Sequence, residues 1–208
     1  MPEKSYSPFF RFGSFVVRQT LGRYLPIRCE GREHLPKGPF ILACNHASLL
    51  DPPLLCAYIM AHTRTMISPA ATKGLFVWPL SWMFRRMGAF VVDRQDNQNL
   101  TTVRQILRTL RTRPILIFPE GGIPEEGPRE EGRLGVGFIA KKSGVPVIPT
   151  AILGTEQSLP RGKRWIRKAP VTIRFGEPLC FHKEDPQDYR TVTQEVMKGI
   201  FKLKTAKP

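Results

Sequence analysis

Phe40-Ile41-Leu42-Ala43-Cys44-Asn45-His46-Ala47-Ser48-Leu49-Leu50-Asp51-Pro52 is the stretch on which the reading of this chain turns. Its first five residues form an unbroken apolar run of strand length, the pattern of a strand buried on both faces. Asp51-Pro52 reads as a helix start, with the aspartate at the N-cap and proline at the first helical position. A buried strand running through a short connection into a helix is the building unit of a parallel α/β sheet. His46 falls on that connection, where functional side chains ride on a rigid scaffold. An imidazole with a carboxylate nearby is the minimum equipment of a general base. The carboxylate fixes tautomer and orientation, and it stabilises the imidazolium that forms. No nucleophilic Ser or Cys is evidently paired with His46, so the proton it takes belongs on this reading to a substrate hydroxyl.

The rest of the chain repeats the unit. Pro8 to Leu25 predicts an amphipathic helix with Phe9, Phe10, Val16, Val17, Leu21 and Tyr24 on one broad face and Arg11 and Arg18 opposite. Such a helix either covers the core or lies in a membrane interface with its arginines at anionic headgroups. Ile27–Glu30 and Thr65–Ser68 read as short strands, and Pro53–Ala61 as a helix. Lys73 to Arg86 is almost wholly apolar, carries Trp78 and Trp82, and has basic residues at both ends. That composition fits a buried helix or an interfacial segment equally. Val91-Val92 ends a strand that delivers Arg94. Leu100, Val103, Ile106, Leu107 and Leu110 recur at helical spacing until Pro114 breaks the pattern. Ile115–Phe118 reads as a buried strand, Arg133–Ser143 as a helix ended by Gly144, and Val145–Leu153 as the next strand. Gly162–Lys168 is a basic loop or hairpin, and Val171–Phe175 a strand. Pro186 opens a last helix with Tyr189, Val192, Val196 and Ile200 inward. Together these predict one α/β domain, a largely parallel or mixed sheet flanked by helices, with an N-terminal amphipathic helix added.

Composition limits the function. The chain has 208 residues, enough for one sizeable core, and 41% of them are hydrophobic, which excludes a disordered chain. Its 32 Lys+Arg against 17 Asp+Glu leave a net charge of +15, so an anionic partner is implied: nucleic acid, an anionic membrane surface or phosphorylated substrates. No nucleic-acid-binding signature accompanies the charge, and the basic residues are spread rather than striped. Cys29, Cys44, Cys56 and Cys180 form no metal-ligand spacing with the four histidines. No disulfide framework is evident, which favours a reducing compartment. Neither a signal peptide nor an apolar run long enough to span a bilayer is read, so contact with a membrane is expected to be peripheral.

Three further blocks follow the His46 stretch in order: Gly88-Ala89-Phe90-Val91-Val92-Asp93-Arg94, Phe118-Pro119-Glu120-Gly121-Gly122 and Val145-Pro146-Val147-Ile148-Pro149. With Asn45-His46 and Asp51 they resemble the glycerolipid acyltransferase family, which carries N-H-x4-D, G-x5-R, F-P-E-G and V-P-V-x-P blocks. The resemblance runs from about Gly31 to Pro178. It implies transfer of a fatty acyl group from a thioester, acyl-CoA or acyl carrier protein, to the free hydroxyl of 1-acylglycerol-3-phosphate, giving phosphatidate. No cofactor or metal is implied beyond that thioester co-substrate. His46 and Asp51 are then the catalytic pair, and attack is direct, with no acyl-enzyme. Arg94 is the candidate to hold the acceptor phosphate, since a guanidinium fork suits phosphate bidentately; by itself it would read as a surface partner of Asp93 or Asp96. Glu120 and Gly121 match the acceptor-site block. The chain departs from the family after Gly121, where Gly122-Ile123-Pro124 replaces Thr-Arg-Ser. Either Arg129 or Arg133 compensates for that missing arginine, or the acceptor is another lysolipid or glycerol phosphate. On this resemblance residues 1–26 are a membrane-associating segment and residues 27–208 the acyltransferase domain. The expected partners are an acyl thioester, a lysophospholipid and an anionic membrane surface rather than nucleic acid. The expected place is the periphery of a membrane on its cytoplasmic face.

Overall fold

The computed structural model describes residues 8–72, 89–92, 100–124, 132–133 and 135–206. In chain order the elements are α1 (Pro8–Tyr24), β1 (Ile27–Glu30), β2 (Ile41–Cys44), α2 (Asp51–Thr63), β3 (Ser68–Thr72), β4 (Phe90–Val92), α3 (Leu100–Thr109), β5 (Ile115–Ile117), α4 (Gly135–Ser143), β6 (Val147–Leu153), a single helical turn α5 (Thr155–Ser158), β7 (Val171–Phe175) and α6 (Tyr189–Thr205). Among the described residues the strands form one seven-stranded sheet in the order β1-β7-β6-β2-β5-β3-β4. Its pairings are parallel except β6 with β7. The expected α/β architecture with a largely parallel sheet is therefore what the chain adopts.

The apolar run that opened the reading is the centre of the sheet. β2 pairs with β5 on one side (Ile41↔Ile115) and with β6 on the other (Ile41↔Val147). All four of its residues are buried. Successive side chains in a strand point to opposite faces. Leu42 and Cys44 enter a core with Phe10, Leu54, Leu55 and Ile59 of α1 and α2. Ile41 and Ala43 enter a second core with Ile106, Ile139, Val192, Val196 and Ile200 of α3, α4 and α6. A strand covered on both faces favours apolar residues at every position, hence the uninterrupted run. Each fully buried Leu or Ile here contributes about 1.5–3 kcal/mol.

Topology decides where a ligand can sit. The β2-to-β3 crossover carries α2 past β5, whereas the β5-to-β6 crossover carries α4 back past β2. Right-handed crossovers that run in opposite directions place their helices on opposite faces. The chain thus leaves the carboxyl ends of neighbouring β2 and β5 toward opposite sides of the sheet. That divergence opens a crevice, the usual ligand position in open α/β sheets.

Several local expectations are corrected. Asp51 is not an N-cap: Leu50 holds that position, and no side chain caps α2. None is required, because Pro52 and Pro53 have no N–H, Asp51 N donates to Ser48 O, and Leu54 N donates to Leu50 O. The Asp51 carboxylate is free to turn back toward the loop before it. In α1 the inward face is Phe10, Ser14, Val17 and Leu21, while Phe9, Val16 and Tyr24 are exposed along with Phe12 and Phe15. The expected apolar face is therefore split, one strip on the core and another outward. Tyr189 is also exposed rather than inward, because α6 starts there, after Asp188 accepts a cap hydrogen bond from Thr191 N. The basic stretch Gly162–Lys168 takes the first of its two expected forms, a loop. The apolar segment Lys73–Arg86 lies outside the described residues.

Candidate active site

Three adjacent parallel strands bring the site together at their carboxyl ends. His46 follows β2, Glu120 follows β5 and Thr155 follows β6. Asn45 fixes the first loop to the third strand. Its side-chain amide donates to Ile152 O at 2.9 Å, and its carbonyl accepts from Ile152 N at 2.8 Å.

The Asp51 carboxylate is fully buried and organises the loop. Oδ2 accepts from His46 Nδ1 at 2.9 Å, Ala47 N at 2.7 Å and Ser48 N at 2.8 Å. Oδ1 accepts from the Thr155 hydroxyl at 2.6 Å. With two backbone N–H donors already aimed at Oδ2, His46 Nδ1 is the donor of the third bond. The basic lone pair then resides on Nε2. The His46 ring stacks on Phe118, with centroids 4.0 Å apart and planes at 17°, which sets its plane. Its side chain is 13% exposed, so the imidazole is held firmly yet still reachable.

The two candidate nucleophiles beside His46 are both occupied or masked. Ser48 is buried, donates its hydroxyl to Leu159 O at 2.8 Å and accepts from Leu50 N, so it serves the loop's shape. Cys44 is fully buried, and its thiol is pushed well above the ordinary range by burial, then by the nearby Asp51 and Glu120 charges. A thiol kept protonated is a poor nucleophile.

Glu120 is buried and accepts from the His46 backbone N–H at 3.2 Å. Burial pushes its carboxyl up, against a smaller downward pull from that hydrogen bond. A folded-state value above the unfolded one means that the folded state holds the proton more tightly. Stability is then complete below the unfolded value and declines as pH rises through the folded value. Glu120→Gln, which cannot ionise, is expected to melt higher than the parent at neutral pH. The gap should close below the ordinary glutamate range, as followed by thermal unfolding across pH. Equal melting temperatures at every pH would show that no such strain is stored at Glu120.

Gly121 adopts φ +77°, a left-handed conformation that suits glycine. A Cβ there would collide with the Arg133 side chain, which lies against the glycine backbone. Arg133 N also donates to Pro119 O at 2.9 Å. The structure therefore brings His46, Asp51, Glu120 and Gly121 together and adds Arg133, one of the two suggested substitutes for the absent arginine. Arg94 and Arg129 lie outside the described residues. Among the described residues no group of three His, Cys, Asp or Glu side chains is arranged to hold a metal.

Sequence reasoning assigned no role to Asn45 or Thr155. Asn45 stood beside His46 but offered no sign of its target. Thr155 resembles an ordinary residue at the start of a helical turn, and its contact with Asp51 spans 104 residues. Only the β2–β6 pairing makes it visible.

An α/β sheet whose first buried strand delivers a His–Asp pair, with a glutamate from the next strand, defines a class, and the comparisons place the chain within it. A model of the Acyltransferase family matches residues 26–153, and the chain belongs to that family. It is 27% identical over 191 residues to the chloroplastic 1-acyl-sn-glycerol-3-phosphate acyltransferase LPAT1 of Arabidopsis thaliana, covering 86% of this chain and 52% of that one. It is 30% identical over 176 residues to a 1-acyl-sn-glycerol-3-phosphate acyltransferase of Chlamydomonas reinhardtii, covering 82% and 52%. The chain thus spans about half the length of these curated relatives. The fold matches the crystal structure of the 1-acyl-sn-glycerophosphate acyltransferase PlsC of Thermotoga maritima with a TM-score of 0.71, at 23% identity, over 94% of this chain and 81% of that one.

Proposed function

We propose that this chain is a peripheral membrane acyltransferase that moves a fatty acyl group from acyl-CoA or acyl carrier protein to the free hydroxyl of 1-acylglycerol-3-phosphate, releasing phosphatidate and the free thiol. The observation that carries the reading is His46 Nδ1 held on the buried Asp51 carboxylate, which leaves Nε2 as the base. Nε2 takes the acceptor hydroxyl's proton as the oxygen bonds to the thioester carbonyl carbon. The tetrahedral adduct then expels the thiolate, which recovers the proton from the imidazolium. The state of Ser48 and Cys44 supports a direct attack without an acyl-enzyme. The names of the relatives support the acceptor. Among the described residues no helix is long and apolar enough to cross a membrane. That fits attachment at the membrane surface, and the charge of +15 favours the anionic cytoplasmic face.

The test is an acyl-transfer assay of the purified chain with both thioester donors against a panel of lysolipids, with products identified by mass. Formation of phosphatidate is the expected result. Transfer only to another lysolipid would instead favour the alternative acceptor, which the Gly122-Ile123 departure motivates. Failure with every acceptor would end the catalytic reading.

Phosphate anchoring is tested within the same assay. A hydrogen bond to a charged group is worth about 1.5–3 kcal/mol, so Arg94→Ala is expected to lower kcat/KM for lysophosphatidate by roughly 10- to 150-fold. Arg94→Lys should recover only part of this, because a point charge replaces a planar fork. Uncharged monoacylglycerol should be little affected. Arg133→Ala should show the same acceptor selectivity if that side chain stands in for the missing arginine. Equal losses on both acceptors would make Arg94 structural.

A further inference from the structure

The basic loop between β6 and β7 has no part in the chemistry above, yet it is built to project. Ile166 packs against the core, and Arg167 N donates to Ser158 O at 2.7 Å. Lys163 N donates to Pro160 O at 3.0 Å and closes a turn. Between these anchors the tip stands out, and Trp165 is 85% exposed. From Leu159 to Pro170 the chain carries Arg161, Lys163, Arg164, Arg167 and Lys168 and no carboxylate. A bare indole amid cations is unfavourable in water but suited to a lipid interface, where the ring sits at headgroup depth and the cations meet phosphates.

Two contacts connect this loop to the N-terminal helix and to the His46 loop. Tyr24 OH, at the end of α1, donates to Ile166 O at 3.3 Å. The loop therefore joins the helix whose outward strip holds Phe9, Phe12 and Phe15, exposed by 41%, 67% and 55%. Ser48, two residues from His46, donates to Leu159 O at the loop's root.

We propose that the loop Arg161–Lys168 is a second docking element for an anionic lipid bilayer, with Trp165 entering the headgroup–acyl boundary and Lys163, Arg164, Arg167 and Lys168 meeting anionic headgroups. The inference rests on the reading that the acceptor is a membrane lipid, and it names the surface by which the chain reaches it. The continuity with exposed phenylalanines favours a bilayer over an acidic protein such as acyl carrier protein, which would satisfy the cations but leave the indole uncovered.

The experiment compares the full chain with Trp165→Ala and with the triple variant Lys163→Gln, Arg164→Gln, Lys168→Gln. All of these side chains are exposed, so circular dichroism and melting should be unchanged. Binding is measured by co-sedimentation with phosphatidylcholine vesicles with and without phosphatidylglycerol. Each interfacial cation near an anionic surface adds about fivefold, so the triple variant should bind phosphatidylglycerol vesicles roughly 100-fold more weakly. Raising the salt should shrink that difference. Trp165→Ala should weaken binding to both vesicle types. Turnover of a short-chain, water-soluble acceptor with acyl-CoA should be unchanged in both variants. If the parent binds vesicles and both variants bind as tightly, the loop proposal falls and peripheral attachment stands. If the parent does not bind anionic vesicles, the membrane reading itself falls. Unchanged vesicle binding with a loss confined to acyl carrier protein as donor would reassign the loop to that protein and overturn the proposal.

Discussion

His46→Ala is expected to abolish measurable acyl transfer while leaving the fold intact. General-base assistance contributes typically ~10²–10⁴-fold, and among the described residues no second base is in position to take the same proton. Glu120 meets the His46 backbone rather than its ring, and burial favours its protonated form. Among the described residues the ring makes one hydrogen bond and one stacking contact, and it belongs to neither hydrophobic core. Full activity in a folded His46→Ala protein would refute the mechanism. Loss of activity together with the melting transition would say only that the ring is structural, so both must be measured on the same preparation.

Asp51 separates charge from scaffolding. Asp51→Ala leaves two backbone N–H groups, an imidazole N–H and the Thr155 hydroxyl without their acceptor. Each buried donor left unsatisfied costs about 1–3 kcal/mol, a total that approaches the roughly 5–15 kcal/mol by which domains are stable. That variant is expected not to fold cooperatively. Asp51→Asn is different. Its carbonyl oxygen can keep the three donors at the Oδ2 position, and its amide can donate to Thr155, whose hydroxyl also accepts. The reverse orientation would set donor against donor. The loop and the His46 tautomer therefore survive, and only the anion opposite the developing imidazolium is lost. A charged hydrogen bond is worth about 1.5–3 kcal/mol, so the turnover should fall by roughly 10- to 150-fold with little change in KM. A folded Asp51→Asn protein of normal turnover would remove the carboxylate from the mechanism.

The sheet was legible where burial is two-sided. Phe40–Cys44, Ile115–Phe118 and Val145–Leu153 read as strands because every position faces a core, and they are the three that form the centre. Residue patterning was less reliable on α1, where two apolar strips of different fate share one helix. A single sequence does not reveal which strip meets protein. Asp51-Pro52 carried the right helix start for the wrong reason: Pro52 and Pro53 remove the donors that a cap would serve. His46, Asp51, Glu120 and Gly121 were singled out through their blocks, and the fold brings them together. Thr155 and Asn45 were not, since each depends on which strands become neighbours, whereas Arg133 was one of two candidates and the fold of the β5-to-α4 connection is what sets it against Gly121.

The grip of Asn45 on Ile152 and of Thr155 on Asp51 also sets a schedule. These contacts span 107 and 104 residues. At ~5–20 residues per second, translation takes roughly 5–20 s to supply the second half of each pair. During that interval the growing chain already contains both members of the proposed catalytic pair, His46 and Asp51, but lacks the groups that hold their loop in register. β1 waits longer still, because its partner β7 is 144 residues away. Catalytic competence is therefore a late event in the life of the chain, and refolding should regain activity only with its slowest phase, after most helical signal has returned.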